Sequence, residues 1–308
     1  MLLQDPNENV DRQLRTLPKL WRDPLNRYTK AERAPLMGLD GSWVGRRRDG
    51  SIERMRCAIG SKKALLLAEY QALQKARSES LVQLRWAGMY GRTVYVATSW
   101  VDVEVRKDWP IPIRTLLAQM ECAARGVAAL HVAGLVHGDL KPETVIWDGD
   151  RAIVTDLKFA APAGPRKNGS FSPKFAAPEQ ILEKAVGPQA DVYALGVTLY
   201  SLFVRDRFPS LVKTQEKTVA DGKAEELSAT TAFDHLNDGR PGHSQDWVVG
   251  AKVLFRSRLS KVVEGVQDAN LIGAVLDIVR QACELDPEKR YANAAALADA
   301  LRALRERS

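Results

Sequence analysis

Eight consecutive residues, His137-Gly138-Asp139-Leu140-Lys141-Pro142-Glu143-Thr144, constrain this chain more than any other stretch. They place a carboxylate, a lysine two positions later and a hydroxyl at the end of one polar run. A second carboxylate, Asp156, follows seventeen residues after Asp139, and Leu157 and Lys158 come directly after it. Val145-Ile146-Trp147 and Ala152-Ile153-Val154 read as two short strands around Asp148-Gly149-Asp150, a turn signal. Three more segments come in order: Ser172-Pro173-Lys174-Phe175-Ala176-Ala177-Pro178-Glu179, then Asp191-Val192-Tyr193-Ala194-Leu195-Gly196 at the start of an apolar helix, then Glu284-Leu285-Asp286-Pro287-Glu288-Lys289-Arg290.

In this order, from about Pro35 to the C-terminus, the segments resemble those of the protein kinase superfamily and are most similar to its Ser/Thr branch. The first stretch resembles a kinase catalytic loop, Asp156-Leu157-Lys158 stands where Asp-Phe-Gly is usual, and Ala177-Pro178-Glu179 ends a segment that looks like an activation segment. The resemblance implies an α+β, two-lobed fold. Its small sheet-rich N-lobe would span 35–101 and its mainly helical C-lobe 102–308, with an extension over 1–34 and an insertion near 205–270.

The same resemblance implies roles. Asp139 would orient the attacking hydroxyl, Lys141 would contact the transferred phosphate, and Asp156 would bind Mg²⁺ through its carboxylate. Arg56 stands at the place of the ATP-contacting lysine, and Glu69, thirteen residues later, is its acidic partner. Glu179 and Arg290 are expected to pair. Ser172 is the hydroxyl residue that Ser/Thr-type kinases carry near the catalytic Asp.

Several positions depart from the family pattern. Thr144 replaces the Asn whose amide oxygen holds a metal ion, and offers one hydroxyl in its place. Arg is a poor substitute for Lys at a one-point phosphate contact, because its charge is broad and planar. Counted from the Asp49-Gly50 turn, strand alternation turns Arg54 to the same side as Arg56, where a small Ala ordinarily leaves room for adenine. A register error of one or two residues would instead leave both arginines on a solvated face. Gly38-Leu39-Asp40-Gly41-Ser42-Trp43-Val44-Gly45 lacks the glycine spacing that lets backbone amides approach phosphates, and Asp40 adds a negative charge there. Lys158 adds a cation beside the metal position. Gly138 replaces an Arg that grips an activation-loop phosphate, while Ser170 and Ser172 are hydroxyl candidates for modification.

Outside these motifs the sequence is less specific. Ser42–Ile59 reads as two strands about Asp49-Gly50, Lys62–Ala76 as a helix, Thr93–Val101 as a strand, and the stretch to Pro112 as a hinge. Helices are expected over Ile113–Ala133, Ala190–Val204, Ile272–Leu285 and Ala292–Leu304. His131 reads as a packed helix-end histidine. The net charge of +7 is spread along the chain, and its densest run, Arg46-Arg47-Arg48, reads as a solvated hairpin tip, which makes a nucleic-acid partner an unlikely one. Cys57, Cys122 and Cys283 have neither metal-ligand spacing nor an even number for disulfides, and read as core thiols. No apolar run reaches the length of a membrane span, so a cytoplasmic protein is expected.

Two functions are compatible with this pattern. One is a pseudokinase, a regulatory or scaffolding module with a degraded ATP site that binds a partner protein and needs no cofactor. The other is an active Ser/Thr kinase that uses ATP and Mg²⁺ on a protein substrate.

Overall fold

The computed structural model describes residues 10, 13–33, 42–101, 112–148, 151–165, 171–182, 184–204 and 269–308. Residues 38–41 of the stretch that lacks the kinase glycine spacing, the hinge over 102–111, Ser170 and the insertion over 205–268 lie outside the described residues.

Five antiparallel strands form the N-terminal sheet: β1 (Tyr28–Arg33), β2 (Trp43–Arg47), β3 (Ile52–Ala58), β4 (Leu84–Tyr90) and β5 (Thr93–Ser99), in the spatial order β1-β2-β3-β5-β4. The β2–β3 hairpin turns where expected. Gly50 takes the left-handed conformation (φ 85°), and the Asp49 carboxylate accepts from the Ser51 amide at 2.9 Å and from its hydroxyl at 2.6 Å. The Arg46 and Arg47 side chains serve this hairpin, Arg46 donating to the Gly50 carbonyl and Arg47 to Glu53. Residues 28–33, read from the sequence as part of an extension, form the edge strand β1, and β4 had no distinct sequence signal. At Gly45 in β2 a Cβ would lie 2.4 Å from the Tyr28 ring, so only glycine lets β1 approach this closely.

Helix α1 (Lys63–Lys75) packs on the sheet. Its Leu66 and Leu67 join an apolar cluster with Val94 and Val96 of β5, whereas Ala72 and Leu73 belong to the larger core of the second lobe. The helix therefore spans two separately packed regions.

The second lobe is built around α2 (Ile113–Val132), whose Leu116, Leu117, Met120, Ala123, Ala124, Val127 and Leu130 are buried. Small residues allow close approach: a Cβ on Gly126 would stand 2.4 Å from the Ser80 carbonyl oxygen. After α2 come β6 (Leu135–Val136), β7 (Val145–Asp148), β8 (Arg151–Val154) and β9 (Ala161–Pro162), which pair as β7–β8 and β6–β9. Helix α3 (Pro188–Val204) is apolar and buried around most of its circumference, the mark of a helix running through a core. α4 (Ala269–Ala282) and α5 (Ala294–Arg307) close the lobe. Cys283 is buried, and Cys57 and Cys122 are half-buried.

Candidate functional site

The pleat of β3 decides what faces the space between the lobes. Glu53 and Met55 are buried on one side, and Arg54 and Arg56 turn to the other. Glu53 is a hub the sequence reading missed: it accepts from Tyr28 Oη (3.0 Å), Trp86 Nε1 (2.9 Å) and Arg47 Nη1 (2.9 Å), which ties β1, β2 and β4 to β3. Its only sequence signal was an acidic residue on the inward phase of a strand.

Arg56 bonds through one guanidinium nitrogen to Glu69 Oε1 on α1 and through the other to Asp156 Oδ1 at 2.7 Å. The structure thus pairs Arg56 with Glu69 across the gap of thirteen residues. Lys158 reaches the other Asp156 oxygen at 3.1 Å, with its ammonium 5.3 Å from the Phe159 ring centre. Both oxygens of Asp156 therefore carry a cation. Burial alone would push the Asp156 carboxyl up, but Arg56 and Lys158 hold it well below the usual carboxylate range. Asp156 is the one non-glycine among the described residues with positive φ (65°), a conformation Asp tolerates and a bulky residue would resist.

Arg54 lines a small void with Val82, Thr98, Trp100, Val101, Ile146 and Asp156. The space left is about 10 Å³, enough for one water. Strand alternation had turned Arg54 this way, and the β3–β5 register, with Arg54 opposite Thr98 and Arg56 opposite Val96, settles the count.

The loop after β6 is shaped by buried hydrogen bonds. His137 is fully buried, with Nε2 3.0 Å from the Thr155 carbonyl and Nδ1 accepting from the Asp139 amide at 3.2 Å. The amides of His137 and Gly138 both donate to the carboxylate of Asp191, at 2.7 and 2.9 Å. Gly138 has φ 79°, a conformation that glycine adopts without strain. His131 Nε2 lies 3.0 Å from Asp191, and its Nδ1 accepts from the Ala294 amide at 3.2 Å, which agrees with a packed histidine. Asp191 is fully buried. Desolvation would raise its carboxyl, but the bond from His131, the nearby His137 and the Gly138 amide keep it below the ordinary range. The sequence placed Asp191 at a helix start and gave no hint of this anchoring role.

Asp139 and Lys141 are in contact with each other and with Ser172. Asp139 Oδ2 is 3.0 Å from Lys141 Nζ, Asp139 Oδ1 accepts from the Ser172 amide at 2.7 Å, and Lys141 Nζ donates to Ser172 Oγ at 2.7 Å. Thr144 does not turn to Asp156. Its hydroxyl donates to the Lys141 carbonyl and accepts from the Lys141 amide, both at 3.0 Å, and the residue is 2% exposed. Glu179 and Arg290 form a two-pronged pair at 2.7 and 2.9 Å, well inside the protein.

A family description, protein kinase domain, matches residues 54–301, well over half of the sequence. The chain belongs to the protein kinase family. Among curated relatives, this kinase-family chain is 28% identical over 145 residues to serine/threonine-protein kinase PknL of Mycobacterium tuberculosis, covering 44% of the chain and 36% of that protein. It is 27% identical over 182 residues to PknA of the same species, covering 56% of the chain and 39% of that protein. It is 24% identical over 163 residues to PAK 4 of Mus musculus, covering 49% of the chain and 27% of that protein. The chain thus spans about a third of the length of the curated relatives it matches. The kinase match begins at Arg54, so β1, β2 and everything before them lie outside it. Among the described residues, no helix is long and apolar enough to cross a membrane, and no cluster of three or more His, Cys, Asp or Glu side chains is placed to hold a metal.

Proposed function

We propose that this kinase-family protein is a pseudokinase, a regulatory or scaffolding module whose kinase cleft does not carry Mg²⁺ and ATP in a productive arrangement. The observation that carries this reading is the double occupation of Asp156 by Arg56 and Lys158. A divalent cation ligated by that carboxylate would have to displace a side-chain cation already in contact with it and tolerate the second one nearby. Two further features point the same way. The Thr144 hydroxyl is used up on the Lys141 backbone, and Arg54 fills the space where adenine would enter. The residues present do not fit a magnesium-bound triphosphate.

The contrary reading, an active Ser/Thr kinase acting on a protein substrate, is favoured by one arrangement. Asp139, Lys141 and Ser172 form a closed set of contacts around a position where a substrate hydroxyl would be oriented. Calorimetry with ATP, with and without Mg²⁺, separates the two. Wild type should give no saturable heat in the micromolar range, and Arg54→Ala should gain nucleotide affinity because it removes the group that fills the void. Tight, Mg²⁺-dependent binding by the wild type would overturn the pseudokinase reading.

A further inference from the structure

One corner of the N-terminal sheet gathers cations that the sequence keeps far apart. Lys19, Arg22 and Arg27 come from the segment before β1, and Arg85 and Arg92 come from β4 and the turn that follows it. All five residues are exposed. Across 19–27 and 84–99 the only acidic residue is Asp23, whose carboxylate already accepts from the Leu25 amide at 2.9 Å. Glu53, on the same sheet, is buried and paired with Arg47, so it leaves the positive charge of this corner uncancelled.

Packing and backbone bonds hold the two stretches side by side. Leu14 and Leu17 pack with Leu66 and Leu67 of α1 and with Val94 and Val96 of β5, which fixes the segment on the sheet. The Leu20 amide then donates to the Met89 carbonyl at 2.7 Å, the Met89 amide donates to the Pro18 carbonyl at 2.8 Å, and Lys19 runs parallel beside Met89. Trp21 and Arg22 therefore arrive at the end of β4, where Tyr90, Gly91 and Arg92 turn into β5. Further on, the Arg27 guanidinium lies 4.7 Å from the Trp86 ring centre, which places its charge over β4. Trp21 is 91% exposed and Tyr90 40% exposed. Such rings settle at the boundary between lipid and water, with the apolar body among the headgroups, while cations around them are drawn to anionic lipid. A turn tip beside a strand edge meets a plane more readily than it encloses a nucleic-acid backbone in a groove.

We propose that this corner docks the protein on an anionic membrane surface, with Trp21 seated among the headgroups and Lys19, Arg22, Arg85 and Arg92 facing the lipid phosphates. The contact is peripheral and requires no spanning helix. It is present whether or not the cleft takes ATP.

Co-sedimentation of the full chain with vesicles tests it. Wild type should partition onto phosphatidylcholine vesicles that carry about one third phosphatidylglycerol, should stay in solution with pure phosphatidylcholine, and should be released by salt. Arg22→Glu/Arg92→Glu should weaken partitioning at least about ten-fold, and Trp21→Ala at least about five-fold. The control is Arg46→Glu/Arg48→Glu, which makes the same change in net charge on the β2–β3 hairpin. The antiparallel β3–β5 register, with Glu53 opposite Ser99 and Ala58 opposite Val94, puts that hairpin at the other end of the sheet, so its variant should partition like wild type. Circular dichroism identifies the variants that keep the fold; if the Arg22/Arg92 variant loses it, Trp21→Ala against the hairpin control decides. No partitioning of wild type onto anionic vesicles, an equal loss in the hairpin control, or binding of single-stranded RNA in place of vesicles would overturn the proposal.

Discussion

Replacing Lys158 by Met tests whether a side-chain cation stands in for a metal at Asp156. Met keeps most of the aliphatic stem while removing the charge, and with it the ammonium above the Phe159 ring. The side chains of Lys158 and Asp156 are 22% and 18% exposed, so the pair is neither bare to solvent nor sealed. At an effective dielectric near 20, a close pair of unit charges gains about 4 kcal/mol before any costs. Partial desolvation of both groups and about 2 kcal/mol of lysine side-chain entropy oppose that gain. Arg56 still neutralises Asp156 in the variant, which limits the loss further. A net destabilisation of about 1 kcal/mol follows, or about 1.5 °C in Tm for a chain of this length. The second consequence discriminates better. With Lys158 gone, Asp156 Oδ2 has no cation, and a hard divalent ion has an oxygen to bind. Thermal unfolding should therefore show a Mg²⁺- or Mn²⁺-dependent rise in Tm for Lys158→Met and none for the wild type. An equal metal response in both proteins, or a variant as stable as wild type and indifferent to metal, would show that Lys158 does not stand in for a metal at Asp156.

Two other substitutions probe how the fold holds this site. Asp191→Asn leaves the amides of His137 and Gly138 with one neutral oxygen acceptor between them and removes the charge facing His131. Loss of about 2–3 kcal/mol near neutral pH is expected, by analogy with other buried hydrogen-bonded charges. Because the folded-state carboxyl of Asp191 lies below its unfolded value, its contribution is fully present above the unfolded pKa of about 3.9 and fades as pH falls through the folded value. Urea unfolding at a series of pH values should show the gap between wild type and Asp191→Asn narrowing on the acid side, and a gap independent of pH would refute the assignment. Gly126→Ala, which would stabilise an ordinary helix by about 1 kcal/mol, should instead destabilise this protein, because the added methyl meets the Ser80 carbonyl at 2.4 Å. A higher Tm for that variant would show that the α1–β4 connection gives way freely.

Residue order alone determined the family likeness, the two-lobe layout and most helices, because closely spaced motifs such as Asp139/Lys141 and amphipathic runs such as 113–132 are local signals. The inward phase of Arg54 was also legible, since a hairpin turn starts the count and a strand alternates strictly. The Glu179–Arg290 pair was expected from the family resemblance, but tertiary structure alone decided three other contacts between distant residues. Asp156 is captured by Arg56 from a hundred positions away, Asp191 anchors a loop more than fifty residues upstream, and Leu14 and Leu17 close over Leu66 and Leu67. None of these has a fixed spacing to read. Each depends on where packing brings two surfaces together, so a charge or a leucine that looks solvated in the sequence acquires a partner only once both lobes are assembled.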